Sequence, residues 1–297
     1  MSNLELFVSQ FNVFSGIAKA YEKARYVIFG IPFDVTSTYR TGARFGPTAI
    51  RQASLNIETY SFRSGMDVED LPLHDAGDLN VSTDTRKTID MAALVTSDII
   101  ASGKKPIVIG GEHTVTLGIM KGLSEKAKNT AYVSFDAHLD LRKEFMGLKL
   151  SHTTFNRVIK EEVNPAKMIE VGIRSVCKEE LTYAKKSGID IVTSQQIRKD
   201  GVTKVQNKLK KMLEPYENLY LSVDMDILDP AYAPAAQNPE PEGVDTTTLL
   251  DIVCSLCDKR VLGFDVLEIA PSYDQGVSAI TAAKIIFEML CQLEKSY

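Results

Sequence analysis

Seven short apolar runs alternate with amphipathic stretches along the chain, and no other feature limits the possible folds as strongly. The runs cover residues 26–31, 106–110, 131–135, 168–172, 190–192, 219–223 and 261–266. Each is nearly continuous in apolar side chains, the pattern of a strand covered on both faces rather than one lying between core and water. Between them, residues 47–55, 86–102, 115–127, 178–186, 203–213, 246–256 and 278–293 read as helices, with Asp245 placed to cap the sixth. Strands alternating with helices build a mostly parallel sheet with helices on both sides, an α/β fold. No linker, low-complexity stretch or internal repeat interrupts the pattern, so residues 1–297 are expected to form one domain.

Composition narrows the function classes. Hydrophobic residues make up 44% and charged residues 25%, an ordinary globular balance in a chain long enough to bury a large core. A net charge of −5 offers no basic footprint, so a nucleic-acid partner is not expected. No apolar run approaches the roughly 18 residues of a membrane span, and the N-terminal residues lack a secretory pattern. Cys254 and Cys257 form a C-x-x-C without a second pair, since Cys177 and Cys291 stand alone. They read as reduced, half-buried packing residues of a cytoplasmic protein.

Several strand ends carry polar residues that a core would not tolerate. Residues 107–109 run into Gly110-Gly111-Glu112-His113, and residues 131–135 run into Asp136-Ala137-His138-Leu139-Asp140. Residues 219–223 run into Asp224-Met225-Asp226, and residues 261–266 into Leu267-Glu268. Ligands of open parallel sheets bind outside the carboxyl ends of the strands, so four strands deliver acids and imidazoles to one rim. In an extended segment Asp136, His138 and Asp140 point to the same side, where two acids and an imidazole need a cation between them. Asp224 and Asp226 repeat the spacing; alone they could be a turn, as His113 alone could be a packed histidine. Together the four Asp and two His are too many for one ion and about right for two. Carboxylates with imidazoles and no thiolate suit manganese, cobalt or zinc, with manganese favoured. Paired ions can bridge a water and make it a nucleophile near neutral pH, so the residues point to metal-assisted hydrolysis.

Gly110–His113, Ser134–Asp140 and Ser222–Pro230 resemble the three signature motifs of the ureohydrolase family, which includes arginases and agmatinases. Residues 42–51 resemble its N-terminal G-x-R-x-G-P element, and residues 265–271 its C-terminal strand. The resemblance implies a three-layer α/β/α fold, two manganese ions and a homo-oligomer, trimeric or hexameric. It implies that His113, Asp136, Asp140 and Asp224 hold one ion, and His138, Asp136, Asp224 and Asp226 the other. It further implies that Glu268 accepts hydrogen bonds from a guanidinium, that Asp140 relays a proton and that His152 carries one to the leaving amine. Family members commonly have a small residue after that histidine, where this chain has Thr153.

The substrate implied is a small cationic guanidino compound. The loop 141–150 has no Ser or Asn for an amino-acid head group and is similar to that of prokaryotic agmatinases. The expected reaction is therefore agmatine plus water to putrescine and urea, as in polyamine biosynthesis. Aminopropylagmatine, arginine and guanidinobutyrate are the alternatives, because Ala235-Ala236-Gln237-Asn238 and Glu242 depart from the family pattern near the substrate tail. Glu240 and Glu242 would suit extra positive charge there. A non-catalytic metal-binding member of the family is the reading from another class.

Overall fold

The computed structural model describes residues 3–9, 12–17 and 19–297. Its strands in chain order are β1 (Val8–Ser9), β2 (Tyr26–Ile31), β3 (Tyr60–Ser61), β4 (Met66–Asp67), β5 (Leu73–Leu79) and β6 (Lys105–Gly110), followed by β7 (Thr130–Phe135), β8 (Lys167–Ile173), β9 (Asp190–Thr193), β10 (Asn218–Asp224) and β11 (Val261–Leu267). β3 and β4 form a separate antiparallel pair. The other nine make one sheet in the order β1-β5-β2-β6-β11-β10-β7-β8-β9, parallel throughout except for β1 at the edge.

Successive strand residues enter opposite cores, which explains the unbroken apolar runs. Tyr26 and Ile28 pack with Ile107, Val133 and Leu221 on one face. Val27, Phe29, Val108, Tyr132 and Tyr220 pack on the other. Helices Gly46–Ser54, Val202–Leu213, Thr246–Cys254 and Val277–Lys295 cover the first face. Helices Thr85–Ala101, Thr116–Gly122 and Lys178–Ser187 cover the second, completing three layers. Asp245 caps its helix as expected, its carboxylate accepting from Thr248 N at 2.8 Å.

Besides short elements the sequence does not announce, such as β1, β3, β4 and helix Ser194–Asp200, three departures from the sequence reading have a clear physical reason. β5 was hidden by its charges, since Leu73-His74-Asp75-Ala76-Gly77-Asp78-Leu79 buries two acids. Arg51, only 1% exposed, compensates them, donating to Asp75 from Nε at 2.8 Å and Nη2 at 2.9 Å, and to Asp78 from Nη1 at 2.5 Å. A buried ion triad of this kind requires its partner from a separate segment, which composition cannot reveal. The helix expected over 115–127 is shorter, Thr116–Gly122, flanked by 3-10 turns. Gly118 and Gly122 sit so close to helix Thr85–Ala101 that a Cβ on Gly122 would lie 2.5 Å from Thr96 Cβ, and Ser124 then takes a left-handed φ of 54°. Finally, helix Thr246–Cys254 ends before Cys257, and both thiols are buried rather than half-buried. Burial pushes the Cys254 thiol up to about 12, so it packs as a neutral side chain. Among the described residues, no helix is long and apolar enough to cross a membrane.

Candidate active site

β6, β11, β10 and β7 are consecutive neighbours in the sheet, although sequence order scatters them. Their registers align Val266 with Ile109, Val223 with Val266 and Val223 with Phe135. The segments beyond those positions therefore leave the sheet together, and His113, Asp136, Asp224 and Glu268 meet at one end. Gly111 makes the turn after β6 feasible: a Cβ there would lie 1.8 Å from Phe33 O. The backbone is held by Glu112 N donating to Phe33 O at 2.7 Å and Glu268 N donating to Gly111 O at 2.9 Å.

His113 is fully buried, and its two nitrogens face different chemistry. Ser222 Oγ donates to Asp265 Oδ1 at 2.5 Å, and Asp265 also accepts from Tyr220 and Thr116. With its hydrogen committed, Ser222 Oγ accepts at 2.7 Å from His113 Nε2–H. Nδ1 then turns to Asp136 Oδ2 at 3.1 Å and Asp224 Oδ2 at 3.2 Å. Neither contact is aligned as a hydrogen bond, so Nδ1 and Asp136 Oδ2 are both buried polar atoms left unpaired. A ring oriented from behind, with lone pairs converging in front, is the arrangement of a metal ligand and its supporting shell.

The second half of the cluster is built from the loops beyond β7 and β10. His138 Nδ1 lies 2.8 Å from Asp226 Oδ2 and 3.6 Å from Asp136 Oδ1. Asp226 Oδ1 accepts from Ala137 N at 2.9 Å, Asp136 Oδ1 from His138 N at 2.6 Å and Asp224 Oδ1 from Asp226 N at 2.8 Å. Oxygen and nitrogen atoms of His113, Asp136 and Asp140 lie within 4.8 Å of one another, as do those of Asp136, His138 and Asp226. Asp136 thus belongs to both groups. All six expected ligands are brought together.

Electrostatics describe a cluster dominated by buried acids. Burial, reinforced by neighbouring acids, pushes Asp224, Asp140 and Glu268 well above the usual carboxylate range. Burial opposes the charged forms of His113 and His138 too, yet the surrounding carboxylates raise both well above an ordinary imidazole. Asp136, between the two rings, is lowered despite its burial. A divalent cation among these groups would instead favour ionised carboxylates and neutral imidazoles.

Asp140 and Glu268 also share a backbone signature, φ of 52° and 70° respectively. A left-handed non-glycine residue costs of order 1–3 kcal/mol and persists only where its surroundings impose it. Glu268 Oε1 accepts from His113 N at 2.5 Å, whereas Oε2 is buried with no hydrogen-bond partner. His152 is likewise buried, with Nε2 at 3.2 Å from Thr38 Oγ1, and burial lowers its pKa to about 4. Thr153 next to it has no left-handed φ, so the β-branched residue fits the turn without strain.

A cleft of about 420 Å³ opens over the cluster, lined by His138, Asp140, His152, Asp224, Asp226 and Glu268, and also by Tyr39, Arg142, Phe145, Asn238 and Glu240. Glu240 Oε1 accepts from Ser175 Oγ at 3.0 Å and lies 3.6 Å from His138 Nε2. Glu242 is not in the lining; its side chain is 74% exposed beside Arg198, so the expectation that it meets the substrate tail is corrected. Gln237 turns away as well, donating to Ser37 Oγ and Arg40 O. Sequence reasoning missed Ser222 and Asp265 behind His113, and Arg174, whose Nη2 donates to Asp226 O at 2.6 Å and Glu240 O at 2.8 Å. A carboxylate amid the apolar residues 261–267 was the one available signal.

The comparisons agree with this geometry. The model of the arginase family matches residues 24–291. An agmatinase of Halalkalibacterium halodurans is 36% identical, covering 91% of this chain and 92% of the relative. An N(1)-aminopropylagmatine ureohydrolase of Thermococcus kodakarensis is also 36% identical, covering 92% of each. The solved agmatine ureohydrolase of Thermoplasma volcanium superposes with a TM-score of 0.89 at 35% identity, covering 97% of this chain and 96% of that one. With matches spanning nearly all of the chain, it belongs to the arginase family, binuclear metal enzymes, as an agmatinase-type ureohydrolase that hydrolyses guanidino groups.

Proposed function

We propose that the chain holds two manganese ions and hydrolyses agmatine to putrescine and urea. The reading rests above all on Glu268 Oε2, a buried carboxylate oxygen without a partner at the edge of the acid cluster. A guanidinium presents planar N–H donors that match such a carboxylate. His113, Asp136, Asp140 and Asp224 are assigned to one ion, and His138, Asp136, Asp224 and Asp226 to the other. When bound, the ion pair supplies a water-derived nucleophile at neutral pH.

The remaining work falls to protein groups. Glu268 orients the guanidinium so that its carbon faces the cluster, converting a poor electrophile into a positioned one. The reaction moves a proton from water to the departing amine. Asp140, on the cluster side, takes it first. His152, neutral because burial depresses its pKa, can accept a proton at Nε2 and deliver it to the amine nitrogen.

Two charges in the cleft bear on the tail. Glu240, beside the cluster, suits an ammonium and so favours agmatine or its aminopropyl derivative. Arg142, stacked 4.9 Å from the Phe145 ring centroid, favours a guanidino acid as the second reading. Urea release from agmatine, aminopropylagmatine, arginine and guanidinobutyrate, before and after chelation, tests the proposal. Agmatine or its derivative is expected to lead, and a preference of about tenfold or more for arginine would overturn it. Assembly into a trimer or hexamer belongs to the same proposal, with sedimentation as its check.

A further inference from the structure

The loop Thr36–Thr38 borders the cleft at Thr38 and contacts His152 through two hydroxyls. Thr36 Oγ1 lies 3.4 Å from His152 Nδ1 and accepts at 3.0 Å from His152 N–H. Thr38 Oγ1 lies 3.2 Å from Nε2. Behind the loop stands Glu112, fully buried and next to His113 in the chain. Its carboxylate accepts from Thr36 Oγ1 at 2.6 Å, Thr36 N at 2.8 Å and Thr114 Oγ1 at 2.6 Å. Within the reaction scheme above, Glu112 has no role.

A hydroxyl has one hydrogen and two lone pairs. Thr36 gives its hydrogen to Glu112, so toward His152 it can only accept. Both lone pairs then face His152, one taking the backbone N–H and the other requiring a hydrogen on Nδ1. That leaves Nε2 as the lone-pair nitrogen, facing Thr38 and the cleft. We propose that Glu112 is a positioning residue for the proton carrier, fixing His152 as its Nδ1–H tautomer through the hydroxyl of Thr36.

The physical logic matches that on the opposite wall, where Asp265 commits Ser222 and Ser222 commits His113. In each case a buried acid outside the cleft lining sets which ring nitrogen carries hydrogen. The direction of the commitment differs: His113 is held from Nε2 and His152 from Nδ1. Without Glu112, the Thr36 hydrogen could turn to Nδ1 and move the ring proton to Nε2, the wrong nitrogen for accepting one from the cleft.

The inference rests on His152 as proton carrier, and its test separates the two. Nitrogen-15 histidine spectra of the protein loaded with diamagnetic zinc report each tautomer, and the chain has only four histidines to assign. Wild type should show His152 with hydrogen on Nδ1. Glu112→Ala, which removes the acceptor, and Thr36→Val should both shift it toward Nε2–H and lower kcat roughly tenfold with KM little changed, because only part of the acid–base contribution is lost. Thr36→Ser, which keeps the hydroxyl, should leave both readouts at their wild-type values. A wild-type tautomer in Thr36→Val overturns the proposal, as does an unshifted His152 in folded Glu112→Ala. Should Glu112→Ala fail to fold, the Thr36 pair decides alone. If His152→Ala instead keeps full turnover, the carrier role falls while the tautomer result stands.

Discussion

The two halves of the acid cluster are built to different specifications. The half around His113 grows from the sheet interior: its ring is fully buried, and its outer nitrogen is held at 2.7 Å by a serine that is itself held by Asp265. The half around His138 grows from loops: its side chain is 23% exposed, and its outer nitrogen faces Glu240 at 3.6 Å, beyond hydrogen-bonding range. One ring is fixed by a committed network; the other is fixed mainly by Asp226 on its inner side and borders the substrate cleft. The contrast teaches that one wall of such a centre can be rigid while the other remains available to read the substrate.

Removing what the halves share should have the largest effect. Asp136→Ala takes a carboxylate from both groups, and several kcal/mol of metal-derived stabilisation corresponds to a turnover loss of at least about a thousandfold, read in a urea assay alongside metal content. Next comes the rigid wall. Ser222→Ala removes the acceptor behind His113 and should weaken cation affinity about 10–100-fold in a metal titration. An unchanged affinity would mean that burial alone orients the ring.

On the open wall the same titration should barely respond. Glu240→Ala breaks no hydrogen bond to His138, so cation affinity should stay within about threefold while KM for agmatine rises by up to about fivefold, the scale of one exposed charge contact. Equal losses of metal in Ser222→Ala and Glu240→Ala would erase the distinction between the halves.

The smallest effect is a slope. In chelator-treated protein Asp140, Asp224, Glu268, His113 and His138 all bind protons more tightly when folded than when unfolded. Their contribution is therefore complete below the unfolded values and is lost as pH rises through the raised ones. Asp136 runs the other way, and so does His152, whose contribution is lost as pH falls from its ordinary 6.5 to about 4. The melting temperature of chelated protein should thus peak at mildly acidic pH and fall toward alkaline pH. Added manganese should remove the alkaline loss, because the carboxylates then pair with the ion.

Much of this was legible in the chain. The seven apolar runs all became strands, and the acids and imidazoles that follow them converge, although not through strand alternation: β7 ends at Phe135, Asp140 takes a left-handed φ of 52°, and Asp226 sits in the 3-10 turn Met225–Ile227. β5 was not legible, because its two aspartates read as loop until Arg51 arrives from another segment to balance them. The sequence gives no sign of what Glu112 does, since Thr36 lies on the loop after β2, 76 residues earlier in the chain. Glu242 was misplaced for the same reason: adjacency in sequence to Glu240 does not say which carboxylate turns inward.

Sequence by itself determined which side chains could do chemistry and at which end of the sheet they would emerge, because the apolar patterning that sets where each strand stops is a local property. Only the tertiary structure decided which atoms of those residues are satisfied and which are left over. Hydrogen-bond commitment is a matter of partners from distant segments, and it is those partners that leave Asp136 Oδ2, His113 Nδ1 and Glu268 Oε2 facing the cleft end of the sheet unpaired.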